Sequence, residues 1–546
     1  MRNYLSRALI LLMLCFATTT WSGCEEKPLP PTSEQSPELP EQPEEPENPT
    51  DTPEEQSGPK LMEFRLRAEE NGDILSAQVR CEIGSDRSVS SVTPIKTLRP
   101  VYPGVTLKPV FKAEEGCKIY VGDQEQISGE SAQDFTTPVI YKVVDSEGQE
   151  NLYTVALQFH FTGLPIVAIS TEGGVEITSK DDWVGATFSL MGSEEFESIE
   201  PMDIQIAGRG NSTWRYDKKP YKLKFASKTE VLGMPKHKRW VLLANFIDAT
   251  MLRNDLTFYL GKKTSLPWTP RGYHVELVLN GKHLGNYYLC EQIKIDKNRV
   301  NITELAPEDT NITGGYLMEM DTYAADDDET LFNSKHKVTT EKGQSLIPIK
   351  IKDPEHEDLT AQQLDYIQGY FHAFEDALYG ENWLDKEQGY KNYIDVTAFV
   401  DIYLISELIY HWEWRHPKSS YMHKDRDGLL VPGPLWDYDW KTYTQREGWY
   451  CKEYLWYPRL FQDPEFVALL KERWTALYPE FEGAIAYINT MKAKLAESAK
   501  KNSQIWGATT TGPNGESKMS YDQAVERILS CYTDRLHWLD SQIKAL

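Results

Sequence analysis

The stretch MDIQIAGRGNSTWRYDKKPYKLKF, Met202–Phe225, is predicted to be a strand, a glycine-bearing turn and a second strand. Glycines flank Arg209 in the turn, where the backbone can approach a partner closely. The second arm alternates apolar residues with Lys222 and Lys224, so both ammonium groups share one face of a half-buried strand. Such a turn followed by strand lysines is one way to hold a triphosphate. An ordinary hairpin with a solvated lysine edge gives the same local pattern.

Length and charge limit the classes of protein to consider. A chain of 546 residues is too long for one hydrophobic core and predicts roughly two to four domains. An aromatic content of 12% is typical of packed globular domains. The net charge of −25 argues against nucleic acid or an anionic membrane surface as a broad partner.

Residues 1–24 are predicted to be a lipoprotein signal peptide. Two arginines precede an apolar run over residues 8–17, which is too short to span a bilayer. Ser22-Gly23-Cys24 resembles a bacterial lipobox, in which Cys24 is lipidated; a chance cysteine after an ordinary signal peptide is the alternative. Glu25-Glu26 resembles the export signal of Bacteroidetes-type surface lipoproteins. This resemblance implies an outer-membrane lipoprotein exposed at the cell surface, with membrane contact only through the lipid.

Two further segments precede the main domain. Residues 25–60 are mostly Pro, Glu, Ser, Thr and Gln, which predicts a disordered stalk. Residues 61–163 carry about six short apolar strands separated by turn signals, which predicts a small all-β sandwich. Its last strands resemble the Ig-like modules of surface lipoproteins. Cys81 and Cys117 are candidates for a disulfide in this module, although the sequence alone leaves their pairing open.

Residues 164–546 mix strand and helix patterns, so the predicted fold class is α+β. Asn280-Gly281 between two alternating apolar runs predicts a hairpin. Apolar residues at helical spacing predict an amphipathic helix that stops at Gly380, and Asp395 is predicted to cap a buried helix. The acidic run 326–329 lacks the spacing of a calcium loop and is predicted to be a solvated loop.

A second group of polar residues follows the buried helix. A polar loop contains Glu413, and after a predicted hairpin comes WDYDW, Trp436–Trp440. Protein kinases have this order of buried helix, polar loop, hairpin and acidic motif. Asp437 and Asp439 can supply the one or two carboxylates that Mg²⁺ takes beside phosphate oxygens, and on a strand they would share a face. A Trp/Tyr core segment with two hydrogen-bonded aspartates is the alternative.

Four motifs occur in the order seen in the spore-coat protein H (CotH) kinase family: RGNSTW…KKPYKLKF, WVLLAN…LRN, LNGKHLGNYYLCEQI and GPLWDYDW. The chain resembles this family over residues 164–546. The resemblance implies an atypical protein-kinase-like domain, with a β-rich N-lobe and a helical C-lobe, preceded by the small all-β sandwich. It also implies binding of ATP with Mg²⁺ or Mn²⁺ and phosphorylation of hydroxyl groups on a protein substrate that the sequence does not name.

The same resemblance assigns nucleotide-binding residues. The phosphate-facing turn would consist of Arg209, Gly210, Asn211 and Ser212. Lys222 is the first choice to reach the α- and β-phosphates, with Lys219 and Lys224 behind it. Glu291 would sit at the nucleotide hinge or pair with a lysine. Asp437 matches the metal-binding aspartate, with Asp439 close by.

Two departures from the family pattern affect catalysis. Where active members have an aspartate as catalytic base the closest match is Glu413, and Ser419 replaces an asparagine metal ligand. A misplacement near 1 Å costs on the order of 100-fold in rate. The alternative function is therefore a catalytically impaired kinase-like surface module for adhesion or for glycan or protein binding. A hydrolase is less favoured, because neither G-x-S-x-G nor H-E-x-x-H occurs.

Overall fold

A computed structural model describes residues 58–322, 331–507 and 512–546. The predicted signal peptide, Cys24, the stalk up to residue 57 and the acidic run 326–329 lie outside these described residues. Within the described ranges, no helix combines the length and apolar character needed to cross a membrane.

Residues 58–163 form an all-β module apart from the short helix α1 (Ala68–Asn71). Its strands are β1 (Leu61–Leu66), β2 (Val79–Ile83), β3 (Ser88–Ser91), β4 (Ile95–Lys96), β5 (Thr106–Leu107), β6 (Pro109–Ala113), β7 (Lys118–Val121), β8 (Gln124–Glu125), β9 (Gln133–Asp134), β10 (Val139–Val144), β11 (Glu150–Val155) and β12 (Phe159–His160). Eight of them form one sheet in the order β6-β1-β2-β3-β11-β10-β7-β8. Phe64 and Tyr141 meet edge to face in its core, with ring centres 5.3 Å apart. Cys81 and Cys117 are both free thiols.

Seven strands close into a barrel in the order β13-β14-β15-β16-β17-β19-β18. They are β13 (Ile166–Thr171), β14 (Val184–Met191), β15 (Ile199–Gly208), β16 (Tyr221–Val231), β17 (Met234–Leu243), β18 (Gly272–Leu279) and β19 (Lys282–Glu291). The predicted strand, turn and strand are confirmed as β15 and β16, which pair antiparallel with Ala207 opposite Lys222. Parallel pairing of β13 with β18 completes the barrel.

One local prediction within the barrel region, the Asn280-Gly281 hairpin, is confirmed. Asn280 and Gly281 form the turn between β18 and β19 and have φ values of 51° and 74°. This is the left-handed region that an Asn-Gly hairpin turn requires. Helix α2 (Arg253–Gly261) lies between β17 and β18, and the Asp248 carboxylate accepts a 2.9 Å hydrogen bond from the Arg253 amide at its start.

The C-terminal half combines a five-stranded sheet with helices around one large apolar core. The sheet has the order β21-β24-β20-β25-β26, and β22 pairs with β23 separately. The strands are β20 (Tyr316–Met320), β21 (Leu331–Asn333), β22 (Val338–Thr340), β23 (Gly343–Ser345), β24 (Pro348–Asp353), β25 (Ser420–Lys424) and β26 (Leu430–Pro432). The helices are α3 (Ala361–Tyr379), α4 (Val396–Leu408), α5 (Tyr457–Leu460), α6 (Pro464–Trp506) and α7 (Tyr521–Ala545). Gly380 ends α3 and Asp395 caps α4, as predicted.

The 43-residue helix α6 packs against both α7 and barrel strand β19. The Asn286 amide on β19 donates a 3.0 Å hydrogen bond to Ser498, and the Trp506 indole donates to the Leu284 carbonyl at 2.8 Å. Lys218, just before β16, donates to Asn502 at 2.8 Å. These bonds fix the far end of α6 to the barrel, so the helix joins the barrel to the C-terminal half.

Candidate functional site

The turn after β15 needs both of its glycines. A Cβ atom at Gly208 would overlap the Trp214 ring, and one at Gly210 would overlap the Thr213 hydroxyl. Gly210 also has a φ of +83°, which favours glycine. The Arg209 amide donates a 3.2 Å hydrogen bond to the Pro220 carbonyl, so the turn folds back toward the start of β16.

Arg209 projects from this turn onto the acidic motif. Its guanidinium lies 5.4 Å from the centre of the Trp436 ring. Arg209 also lines two neighbouring cavities, one of about 440 Å³ and one of about 20 Å³. The larger is lined by Arg209, Val241, Gln292, Ile293, Lys294, Leu317, Ile351, Lys352, Glu355, His356, Glu357, Tyr421 and Trp436. The smaller is lined by Arg209, Thr213, Tyr216, Lys218, Pro220, Leu243, Ala244, Asn245, Phe246, Ile247, Asn254, Asp437 and Asp439.

The larger cavity fits a nucleotide by size and by the chemistry of its walls. Its volume is within the range of roughly 300–1,000 Å³ typical of small-molecule sites. The aromatic rings of Tyr421 and Trp436 and aliphatic side chains provide apolar surface for a base, while Arg209 provides a planar cation suited to phosphate oxygens. The cavity therefore has both kinds of surface that a nucleoside phosphate requires.

Lys222 lies on the same side of the barrel wall as this cavity. It pairs with Val241, which lines the cavity, and directly paired residues share a face of the sheet. The Lys222 ammonium lies 4.9 Å from the centre of the Trp183 ring, and the Arg239 guanidinium lies 5.2 Å from the same ring. Burial lowers the pKa of Lys222, and the nearby Arg239 acts in the same direction.

The other predicted phosphate residues are less favourably placed. Lys219 is not on the strand: it precedes β16, and its ammonium donates a 2.8 Å hydrogen bond to the Trp214 carbonyl. Lys224 is on β16 but pairs with Arg239, two residues farther from the cavity wall than Lys222. Asn211 and Ser212 are exposed at the tip of the turn.

Among the residues that the structure describes, Glu291 pairs with arginines and not with a lysine, which corrects one of its two predicted roles. Its carboxylate accepts hydrogen bonds from Arg271 at 2.8 and 2.9 Å and lies 3.7 Å from the Arg299 Nε atom. Because the side chain is completely buried, two guanidinium groups balance its charge better than one flexible ammonium group would. Gln292, Ile293 and Lys294 directly follow Glu291 and line the larger cavity.

The acidic motif is not a strand, and the prediction that Asp437 and Asp439 share a strand face is wrong. Strand β26 ends at Pro432, and Asp437 has a φ of +66°, which breaks the alternation of an extended chain. Two hydrogen bonds hold this irregular segment. The Tyr438 amide donates to the Asn254 side chain at 2.8 Å, and the Asn514 side chain donates to the Asp439 carbonyl at 2.8 Å. Even so, both aspartates line the smaller cavity.

Carboxyl groups are concentrated around the acidic motif. Asp439 is buried, and burial together with the charge of Asp437 raises the pKa of Asp439 well above its ordinary value. Glu413 lies in the short 3₁₀ helix Trp412–Arg415 after α4. Burial raises the pKa of Glu413 to about 8, and the charges of Asp437 and Asp439 add to this effect. The structure thus brings Glu413 within electrostatic range of both aspartates.

These residues fit a divalent metal ion only if water or phosphate oxygens supply the rest of its ligands. Among the described residues, no group of three or more His, Cys, Asp and Glu side chains is arranged to hold a metal ion. Mg²⁺ commonly keeps waters and uses one or two carboxylates beside phosphate oxygens, so two aspartates at one small cavity meet its needs. The Ser419 hydroxyl donates to an Asp437 oxygen at 3.4 Å. Asp437, Asp439 and Ser419 are the oxygen donors that would hold the ion.

Sequence reasoning missed several residues at this site. Trp436 lies in the motif GPLWDYDW and Asn254 in the motif LRN. Their positions in these motifs could have predicted them as site residues. Trp183, by contrast, comes from a segment without a recognisable motif. Lys218 was also missed: it is buried, donates to Asn286 and Asn502, and burial lowers the pKa of Lys218 to about 7.

Comparison with known proteins gives one family. No curated protein matches the chain. The family model described as CotH kinase protein matches residues 206–539, which includes the turn at Arg209, the loop with Glu413 and the acidic motif. The match covers more than half of the 546 residues, and the chain therefore belongs to the CotH kinase protein family.

Proposed function

We propose that the protein is an atypical protein kinase that transfers a phosphoryl group from ATP, with Mg²⁺ or Mn²⁺, to hydroxyl groups of a protein substrate. The main support is the position of Arg209, which lines both a nucleotide-sized cavity and the small cavity that contains Asp437 and Asp439. A nucleotide in the larger cavity would have its phosphates near a guanidinium group and two carboxylates. This is the combination of groups that phosphoryl transfer uses.

Each residue of the site has a defined part in this proposal. Tyr421 and Trp436 would contact the base or ribose through apolar surface, and Arg209 would bind phosphate oxygens through its N–H groups. Lys222 would add a second positive charge from the barrel wall. Asp437 and Asp439 would hold a divalent cation, which would neutralise part of the phosphate charge. The irregular backbone at Asp437 keeps both carboxylates at the cavity.

Glu413 is the proposed general base. In the ligand-free protein a pKa of about 8 leaves it mostly protonated at neutral pH. Because the charges of Asp437 and Asp439 contribute to that shift, a cation bound to these aspartates would lower the pKa of Glu413 toward the range where it accepts a hydroxyl proton. Glu413 would therefore be able to accept a proton only when metal and nucleotide are bound.

The experiment that tests the proposal combines binding with transfer. The full chain is incubated with γ-labelled ATP, Mg²⁺ or Mn²⁺ and a mixture of serine-containing protein substrates, and ATP binding is measured in parallel. We expect metal-dependent ATP binding and label on protein hydroxyls, reduced at least 100-fold in Glu413→Gln. ATP binding without any transfer would favour the catalytically impaired surface module. No ATP binding would overturn the kinase proposal.

We also infer that the protein is exported and held at the outer membrane by lipid on Cys24, with the protein substrate or surface ligand outside the cell. Support comes from the lipobox-like Ser22-Gly23-Cys24 and the acidic pair after it. Cys24→Ala should release the protein from the membrane fraction, because a lipid on this residue is the proposed anchor. Membrane association that survives the substitution would contradict this inference.

A further inference from the structure

Two cations lie against one indole ring, that of Trp412, in the loop that contains Glu413. The Arg415 guanidinium lies 3.7 Å from the centre of the Trp412 ring, and the Lys441 ammonium lies 3.9 Å from it. The Trp412 main-chain carbonyl accepts a 2.8 Å hydrogen bond from the Tyr450 hydroxyl, which holds the backbone at this position. Each cation–π contact is worth on the order of 0.5–2 kcal/mol, so the stack is preorganised.

The stack is attached to both halves of the proposed active site. Arg415 is two residues after Glu413, in the same 3₁₀ helix. Lys441 is two residues after Asp439, and its amide donates a 2.7 Å hydrogen bond to Asn514, which also binds the Asp439 carbonyl. The two cations therefore lie close in sequence to the proposed base and the proposed metal ligands.

The positive charge of this stack is only partly balanced. Glu341 approaches the Arg415 Nε atom at 3.3 Å and is shared with His416, whose Nδ1 atom is 3.5 Å away. Lys342, next to Glu341, adds a further exposed cation. In the part of the chain that the structure describes, Lys441 forms no ion pair. Cation–π contact uses the face of a guanidinium group or one side of an ammonium group, so N–H groups remain for an anion.

We propose that the stack of Arg415, Trp412 and Lys441 binds an acidic side chain of the protein substrate next to the acceptor hydroxyl. The proposal rests on the kinase function proposed above and adds the class of substrate. A chain with a net charge of −25 repels acidic segments at long range, so recognition of one requires a local group of cations. The stack provides that group on the short helix that carries Glu413, the proposed base for the acceptor hydroxyl.

Two fluorescent peptides test this proposal, each with a single serine, flanked on both sides by glutamates in one and by lysines in the other. Binding to the full chain is measured by anisotropy without ATP, so the result does not depend on catalysis. We expect the glutamate peptide to bind at least 10-fold more tightly. Lys441→Gln should weaken its binding at least fivefold and leave the affinity for ATP unchanged. Lys501→Gln, which changes a lysine stacked on Phe161, is the matched control and should have no effect.

A charge reversal separates recognition from a folding defect. Lys441→Glu should shift the preference toward the lysine peptide while the protein still unfolds cooperatively. Equal affinity of wild type for both peptides, or an unchanged preference in both Lys441 variants, would overturn the proposal. Failure of the kinase proposal would appear separately, as a lack of ATP binding by the wild type.

Discussion

The Arg209 guanidinium lies 5.4 Å from the centre of the Trp436 ring, and this contact joins the glycine turn of the barrel to the acidic motif. Both residues line the larger cavity, while Asp437, next in the chain, lines the smaller one. The Arg209 side chain therefore connects the predicted phosphate-binding turn to the cavity that contains the predicted metal ligands.

Arg209→Ala should weaken ATP binding about 10- to 100-fold. The lost contact is a charge-assisted hydrogen bond, worth roughly 1.5–3 kcal/mol, and 1.4 kcal/mol is a factor of ten in affinity. Isothermal titration measures the change. Arg446→Ala is the control, since Arg446 is an exposed arginine that pairs with Asp534. Wild-type affinity in Arg209→Ala would show that the turn does not face the phosphates.

Lys222→Met should weaken ATP binding at least 10-fold, whereas Lys224→Met should change it less than threefold. The two lysines share one strand face, but Lys222 pairs with the cavity residue Val241 and Lys224 pairs with Arg239. Each substitution keeps an unbranched side chain and removes one charge, so the pair is matched. A larger effect of Lys224→Met would reverse the assignment of the phosphate lysine.

Glu413→Gln should stabilise the metal-free protein, and more so at pH 8.5 than at pH 5. Unfolded Glu413 loses its proton near its ordinary pKa of 4.5, whereas the folded group has a pKa of about 8. The folded state binds more protons in this range, so the free energy of unfolding falls as pH rises from 4.5 to 8. Glutamine does not titrate, so Glu413→Gln avoids this loss of stability. The difference in Tm between Glu413→Gln and wild type should therefore widen by on the order of 5 °C from pH 5 to pH 8.5.

The control for this pH dependence is Glu447→Gln, which changes an exposed carboxylate in the same half of the protein. Its Tm should follow that of the wild type at both pH values. A constant difference between Glu413→Gln and wild type across the pH range would mean that the Glu413 carboxyl group titrates normally in the folded protein.

Glu516→Gln should lower the free energy of unfolding by about 3–5 kcal/mol, because it leaves a buried cation with one carboxylate fewer. Arg253 is fully buried, pairs with both Asp248 and Glu516, and lies 3.0 Å from a Glu516 oxygen. Urea unfolding gives the value, and Glu526→Gln, at an exposed pair with Lys492, is the control. Equal stability of the two variants would contradict this account of the buried group.

The local elements were predictable because their signals are local. Asn280-Gly281 specifies a hairpin turn, Asp395 specifies a helix start, and the alternation around Lys222 specifies a strand face. Closure of the barrel was not predictable, since the pairing of β13 with β18 joins segments far apart in sequence. A sequence pattern reports which residues alternate, but it does not report which distant strand they meet.

Motifs in the sequence named several residues that line the candidate site, but they did not predict its geometry. Arg209, Asp437 and Asp439 line one cavity. The left-handed backbone at Asp437 could not be predicted, because the motif alternates like a strand. The arginine partners of Glu291 come from positions 271 and 299, on different segments, so no local pattern indicates them. Tertiary contacts decided each of these points.

The central claim is that Asp437 holds a divalent cation against the nucleotide phosphates. Isothermal titration of ATP into wild type and Asp437→Asn, each with and without Mg²⁺, tests it most directly. The amide keeps the shape of the side chain and removes its charge, so we expect a metal-dependent loss of roughly 1.5–3 kcal/mol, or about 10- to 100-fold, and little change without metal. Equal ATP affinity of the two proteins in Mg²⁺ would contradict the claim.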